Sequence, residues 1–491
     1  MRVAVIGMGP AGLLMGAGLA RRGHEVVAVE RDPGPAADGS WPRRGVMQFH
    51  HAHGFRHQVT AVLEQELPEA LPRWLAAGAE PVQLSRPDGS QVPMGVRSRR
   101  ATFERALREA ALAQPGLQAR RGRVEGVLCH NGRAGGIRVD GSELAADLVI
   151  DASGRAGRVT RSLRPAAASG GPCGIAYVDR QYQLHPGAEP GPLANPIAWQ
   201  ADLDGYQAII FVHERGIFSV LLVRPSADPV LAQLRHEAAF TAACQAIPGL
   251  ADWVDPGRAR PLTPVLPGGP LLNAYRGQAG PDGKLALPGL VFVGDAVATT
   301  TPTFGRGVAT TLLQARRLLQ CIDEHGTDAV AVGESFDAWC AEQMKPWVDD
   351  HVHMDSSTQR RWAGQDVDLS QPLPSDLILA AAGADPGILG AAFGYLGMTA
   401  LPASLRAVEP RARALYATGW RPTFAPGPTR DELADIIQAA LRPSPALAAV
   451  QRRGAAPVRP ACAPGAARRP PGRRSRRAGR SPSGRAASHR A

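Results

Sequence analysis

The chain has 491 residues, 44% of them hydrophobic and 20% charged, with a formal net charge of +11. That length predicts about three lobes around a large core, and the composition excludes a largely disordered or fibrous chain. The six cysteines (Cys129, Cys173, Cys244, Cys321, Cys340 and Cys462) are scattered without a C-x-x-C pair, which argues against a zinc site, a redox dithiol and a disulfide scaffold.

The opening MRVAVIG reads as a strand, not as the basic start of a secretory leader, so a cytoplasmic location is expected. Residues 1–35 read strand, glycine turn, helix, strand: Arg2–Ile6, a helix over Leu13–Gly23, then His24–Val29 running into Glu30. A loop rich in His, Arg and Gly covers 36–57. A helix is predicted over 58–77, then a hairpin over Val82–Gly95 turning at Pro87-Asp88-Gly89-Ser90. A helix over 101–113, a hairpin over Val124–Val139 turning at Asn131-Gly132, and a strand Ala146–Ile150 follow. Residues 161–260 read as antiparallel sheet, with strands Gln207–Val212 and Ile217–Val223 joined by His213–Gly216. Leu290–Val293 is a further strand, and a helix covers Val308–Ile322. Residues 330–442 read as mostly helical. Within them, Leu377–Leu405 is apolar but broken at Asp385-Pro386-Gly387, which predicts two short buried helices and not a membrane span. Twelve arginines and no acidic residue fall in 443–491, so the basic charge belongs to a tail whose Pro, Gly, Ala, Ser and Arg cannot form a core. The tail has no aromatic residue on which bases could stack, and no specific nucleic-acid partner is expected.

Gly7-Met8-Gly9-Pro10-Ala11-Gly12 follows a strand and opens a helix. Gly7 permits the turn, Gly9 lets a pyrophosphate approach the backbone, and Gly12 lets helix and strand pack closely. Glu30, with Arg31 after it, ends the second strand, where a carboxylate suits a ribose diol and repels a 2′-phosphate. The nucleotide is therefore FAD or NAD and not NADP. Downstream, LVFVGD ends a strand at Gly294-Asp295, where a carboxylate suits a ribityl hydroxyl. The helix start at Gly305-Arg306-Gly307 offers a positive dipole end to a flavin's electron-rich edge. Asp151-Ala152-Ser153-Gly154-Arg155 is a further motif. Taken alone, either of the last two features is equally an ordinary turn.

Together GMGPAG, Glu30, Arg100-x-x-Phe103-Glu104, DASGR and GDA…P-x-x-G-R-G resemble the FAD-dependent monooxygenase superfamily over about 1–330. The superfamily includes aromatic hydroxylases and squalene- and polyketide-epoxidase-like oxidoreductases. The loop Arg43–His53 resembles an R-x-G-V-x-Q-x-x-H-x-H pattern in one bacterial group. The resemblance implies an α/β fold: a doubly wound, Rossmann-like FAD-binding domain of the glutathione-reductase type (1–160 and 261–330). An antiparallel substrate domain (161–260), a helical C-terminal part (331–442) and a disordered tail (443–491) complete the expected organisation. It implies that Gly7, Gly9, Pro10, Ala11, Gly12, Glu30, Arg31, Gly294 and Asp295 bind FAD. Arg44 and Arg100 would lie along the cofactor, and Pro302, Gly305, Arg306 and Gly307 beside its ring. The implied activity is insertion of one oxygen of O2 into an apolar or aromatic small molecule through a flavin C4a-(hydro)peroxide, by hydroxylation or epoxidation. Reduction without oxygen insertion, or a non-catalytic or membrane-surface flavoprotein, are the alternatives.

Within that superfamily, halogenases carry a W-x-W-x-I-P segment and an essential lysine. The chain lacks the segment and has only Lys284, in a PDGK turn, and Lys345, so halogenation is not expected. No second G-x-G-x-x-G exists, so electrons are expected from transiently bound NAD(P)H or from a separate flavin reductase. His50, His51, His53 and His57 cluster in the loop, open to cofactor contact, acid–base work, metal binding or a structural role. No metal is expected at the site. His351 and His353 form a second pair, and Asp349, Asp350 and Asp355 beside them read as solvated helix charges. Arg155 and Arg158 suit either phosphates or the surface. The substrate pocket is expected between the flavin domain and the 161–260 sheet. Its apolar walls would come from Phe211 or Phe218, whichever faces inward, and from Thr303-Phe304.

Overall fold

Short apolar runs of β-branched residues and alanine build a central sheet. The computed structural model describes residues 1–43, 45–85 and 89–442. Arg44, the Pro87-Asp88 part of the first hairpin turn and the arginine-rich tail lie outside them. Five strands, β1 (Arg2–Ile6), β2 (Glu25–Glu30), β3 (Leu117–Arg121), β4 (Leu148–Asp151) and β5 (Leu290–Phe292), pair in parallel in the order β5-β4-β1-β2-β3. Helix α1 (Pro10–Arg21) is the crossover from β1 to β2, and it is buried along nearly its whole length. α2 (Arg100–Leu112) and α3 (Gly307–His325) both pack against α1. This is the Rossmann-like α/β core, and its apolar residues form one cluster with α1, α2 and α3.

The predicted helix over 58–77 is two helices, His57–Glu66 and Ala70–Ala76. Pro68 forces Leu67 out of helical geometry, at φ −152°, because the ring crowds the preceding residue. The hairpin Val124–His130/Arg133–Val139 turns on Asn131 and Gly132, both at positive φ, the conformation a two-residue hairpin turn needs.

The second layer is an antiparallel sheet ordered Ala198–Leu203, Tyr206–Val212, Ile217–Pro225, Ile175–Leu184, Ala259–Pro261, with Leu266–Gly268 also pairing to Ile175–Leu184. Strand alternation splits its residues between two faces. Val178, Tyr182, Phe218 and Leu222 pack outward with Phe240, Leu250, Trp253 and Leu433 of flanking helices. Tyr177, Ile209, Phe211 and Leu221 pack on the opposite face with Ala52, Val82 and Met94 of the N-terminal part. Phe211 is thus the inward phenylalanine and Phe218 the outward one.

After α3 the chain is helical: Ala329–Gln343, α4 (Lys345–Trp362), Ser375–Ala381, Leu389–Leu396, Glu409–Ala417 and Arg430–Leu441. The break at Asp385-Pro386-Gly387 is present. The helix after it was expected to be buried but leaves Leu389, Phe393 and Leu396 exposed on one face while Ala392 and Tyr395 face inward. Among the described residues no helix is long and apolar enough to cross a membrane.

Candidate functional site

The site lies at the C-terminal edge of the parallel sheet, where α1 and α3 begin. Neither helix has a side chain capping its first turn, so their first backbone N–H groups are free for an anion or dipole. A Cβ placed on Gly12 would sit 1.9 Å from the Gly7 carbonyl oxygen: only hydrogen fits there. A Cβ on Gly9 or Gly307 would meet nothing within 4 Å, so at these two helix starts the backbone faces open space. Gly7 takes φ +94° against Ala152 and Ser153 of the DASG turn.

At the end of β2 the Glu30 carboxylate accepts from the amides of Met8 (3.0 Å) and Asp32 (3.1 Å). It is thus tied to the glycine turn. Arg31 is exposed, with its guanidinium over Gly45. Arg44 lies outside the described residues, but its neighbour Arg43 is buried. Arg43 donates to the Met8 carbonyl (3.1 Å), lies 3.5 Å from Glu30 and pairs with Glu104. The sequence named Arg43 as the first residue of the R-x-G-V pattern but gave the role along the cofactor to Arg44 instead.

Arg100 at the start of α2 donates to Glu104 (2.5 Å), and its Nη1 meets His53 Nε2 at 3.1 Å. His53 Nδ1 in turn lies 3.0 Å from the His51 carbonyl. Its Nδ1–H therefore donates there, and Nε2 accepts from Arg100. Burial and the Arg100 charge hold His53 well below the usual histidine range, so it is a neutral acceptor that aims the arginine. α2 itself is fixed by Glu214 of the antiparallel sheet, which accepts from the Arg99 amide (2.7 Å), Arg99 Nε (2.8 Å) and the Thr102 hydroxyl (2.6 Å).

Asp295 follows Gly294 after β5. Burial pushes its carboxyl up, opposed by the charges of Arg100 and Arg155. Asp151 of the DASGR motif is wholly buried and holds its turn together, accepting from Ser153 N (2.9 Å), Arg164 (2.7 Å) and Thr160. Pro302–Phe304 forms a 3-10 turn ending at Gly305, which takes φ +60° and packs on Gly54. A Cβ on Gly54 would lie 3.5 Å from the Phe211 ring. The histidine loop, the Gly305 turn and the inner sheet face therefore converge.

The Arg306 guanidinium is fully buried, not turned to open space. It lies 4.4 Å from the Trp347 ring, 4.5 Å from Tyr395 and 4.8 Å from Phe304, with Nη1 3.1 Å from His351 Nε2 and 3.8 Å from Asp350. Phe304 thus faces the C-terminal helices, edge-on to His351. The expectation that Asp349, Asp350 and Asp355 are solvated is corrected for two of them. Asp350 accepts from Tyr395 (2.5 Å) and Ser375, and Asp355 accepts from Asn273 (2.6 Å). Both are buried against the 272–275 strand and the helices that follow α4. Asp349 pairs with Lys345 at 2.6 Å, and Lys284 is exposed. Among the described residues, no group of three His, Cys, Asp or Glu is placed to hold a metal ion.

These residues suit a dinucleotide: open backbone amides at two helix starts, a carboxylate at the end of the second strand, and arginines held by buried carboxylates.

The tryptophan halogenase family matches residues 44–165. Protein Rv3254 of Mycobacterium tuberculosis (strain ATCC 25618 / H37Rv) is 27% identical over 361 residues, which are 65% of this chain and 72% of that protein. Among solved structures, the flavin-dependent brominase Bmp2 superposes with TM-score 0.56 at 15% identity, covering 86% of this chain and 100% of its own. PqsL, a probable FAD-dependent monooxygenase from Pseudomonas aeruginosa, gives TM-score 0.50 at 17% identity, covering 74% and 98%. The chain has the fold shared by these FAD-dependent halogenases and monooxygenases. The halogenase matches also correct one expectation: missing tryptophan and lysine motifs do not set halogenation aside.

Proposed function

We propose that the protein is an FAD-dependent oxidoreductase that inserts one oxygen of O2 into an apolar or aromatic small molecule. The observation that carries this reading is the convergence of two uncapped helix starts, at Gly9 and Gly307, with the apolar inner face of the antiparallel sheet. Nucleotide chemistry and an apolar substrate then share one boundary.

In this reading the backbone of Gly7–Gly12, with Pro10 and Ala11 opening α1, holds the pyrophosphate, and Glu30 holds the ribose. Arg31, Arg44 and Arg100 lie along the cofactor, with His53 and Glu104 fixing the direction of Arg100. Gly294 and Asp295 hold the ribityl chain. Pro302 and Gly305–Gly307 present backbone to the ring, and the Arg306 side chain anchors that segment from behind. FAD supplies the redox and oxygen chemistry, and the protein supplies position and a dry wall of Tyr177, Ile209, Phe211 and Leu221. Electrons come from NAD(P)H or from a separate flavin reductase.

Halogenation is the second reading, favoured by the family match over 44–165. Against it, Lys345 is engaged with Asp349 and Lys284 is exposed, so neither lysine is at the site. The test is incubation of the FAD-loaded protein with NADPH, a flavin reductase, bromide and 18O2 over a panel of phenols and alkenes. Products carrying one 18O support oxygen insertion. Brominated products select halogenation, and reduced products with neither label select a reductase.

A further inference from the structure

The central strand Ile175–Leu184 carries one carboxylate on its inner face. Asp179 is fully buried between Tyr177 and Gln181, opposite Leu221 on one neighbouring strand and Leu266 on the other. Its Oδ2 accepts from the Ala52 amide at 2.5 Å, and its Oδ1 has no partner among the described residues. Facing it is His51, also buried, whose Nδ1 lies 3.8 Å from Asp179 Oδ2 and likewise has no partner. That gap is too long for a direct hydrogen bond, and one hydroxyl oxygen can bridge it with two ordinary ones. Two unpaired polar atoms in an apolar wall are costly unless something uses them.

The titratable and charged groups around the pair are few. Tyr177 lies on the same strand, with its ring edge-on to His51 at 5.3 Å, and His50 adjoins on the loop. Gln181 binds the His50 carbonyl at 2.8 Å. Leu221 and Leu266 from the neighbouring strands bring no charge, and Arg100 and Arg155 act from beyond Tyr177. The wall continues through Phe211 to Gly54 and Gly305.

We propose that Asp179 and His51 form an acid–base subsite for the hydroxyl of a phenolic or enolic substrate. The hydroxyl donates to Asp179 and accepts from His51 Nδ1–H. The substrate O–H bond breaks with its electron pair left on oxygen, the proton forms an O–H bond to the carboxylate, and His51 steadies the resulting phenolate or enolate. An oxygen anion of this kind makes the ortho or para carbon of a phenolate, or the β carbon of an enolate, electron-rich, as attack on an electrophilic oxygen or halogen requires. Burial lifts the Asp179 carboxyl to about 8 against the backbone N–H groups that bond it, and burial together with the neighbouring His50 charge lowers His51 to about 4. The first is therefore protonated at pH 7 and ionised, free to take the substrate's proton, only towards pH 8 and above, and the second is a neutral donor.

This inference rests on the flavoenzyme reading, and its test separates the two. The probe is 4-nitrophenol, whose visible band reports its own ionisation, titrated into FAD-loaded protein between pH 6 and 9. The wild type is expected to bind it as phenolate at pH 7. Asp179→Asn is expected to bind it as neutral phenol, at least tenfold more weakly, with flavin content unchanged. The same band and affinity in both proteins would overturn the subsite, as would no binding to the FAD-loaded wild type. If the asparagine variant does not fold, His51→Gln is the second probe: a weakened phenolate band supports the pair and an unchanged one refutes it. Failure to load FAD at all overturns the functional reading as well.

Discussion

Glu30 accepts from two backbone amides beside the glycine turn, so its removal loosens the turn and takes away the proposed ribose acceptor together. Glu30→Ala should lower FAD affinity roughly ten- to hundredfold, the effect of about 1–3 kcal/mol from lost charged hydrogen bonds. Flavin fluorescence quenching on titration measures it. Gly12→Ala should be harsher, because its methyl would overlap the Gly7 carbonyl. The expected result is colourless protein with a lowered melting temperature. Asp179 makes a prediction about stability that needs no ligand. Its native carboxyl stays protonated up to about 8, while in the unfolded chain it releases the proton near 4. The native state therefore holds the extra proton, and stability falls as pH rises through that window. His51, lowered to about 4, opposes this up to its unfolded value near 6.5. The net loss appears between pH 6.5 and 8 and amounts to about 2 kcal/mol. Asp179→Asn should abolish it, gaining a few degrees of melting temperature on the wild type from pH 6.5 to 8 by calorimetry.

Helix α4 shows why parts of the site were legible in the sequence and parts were not. The β1–α1–β2 unit was readable because its signals are local: an apolar strand, a glycine turn and a carboxylate at the next strand's end. Asp350 and Asp355, beside His351, looked like solvated helix charges, since nothing nearby in sequence announces Asn273, Thr301, Ser375 or Tyr395 as partners. Their burial is a long-range fact, with Asn273 reaching Asp355 and Thr301 meeting His351 at 2.8 Å. Asp179 was missed for the opposite reason. The strand IAYVDRQYQL carries Asp-Arg inside an apolar run, and that interruption was the available clue. The break at Pro68 was written in the sequence and outweighed by the apolar periodicity on either side. At this scale the testable joint is Arg306, flat against three rings and bonded to His351. Lysine keeps the charge and loses the plane, and leaves Asp350 with a poorer partner. Arg306→Lys should expose the 345–417 helices to limited proteolysis and lower the melting temperature, while Arg306→Lys combined with Asp350→Asn should recover part of that loss.

Residues 1–441 make one compact unit, and among the described residues its apolar clusters reach no further than Ile437. A chain ending at Arg442 should therefore keep the melting temperature and flavin content of the full protein while losing its strong retention on a cation exchanger. The twelve arginines it sheds account for the basic charge. The order of the central sheet has a different consequence. β4 and β5 are direct neighbours, yet the whole antiparallel sheet is strung between them in the chain. On the ribosome the glycine turn emerges first and must wait through some three hundred residues before β5, Asp295 and α3 arrive. On the proposed flavoprotein reading the nascent chain cannot capture flavin during that interval, and its unpaired β4 edge is exposed to other chains. Heterologous production should therefore yield aggregates rich in chains that have never held cofactor, and slowing translation or lowering temperature should recover yellow protein more effectively than adding flavin to the medium.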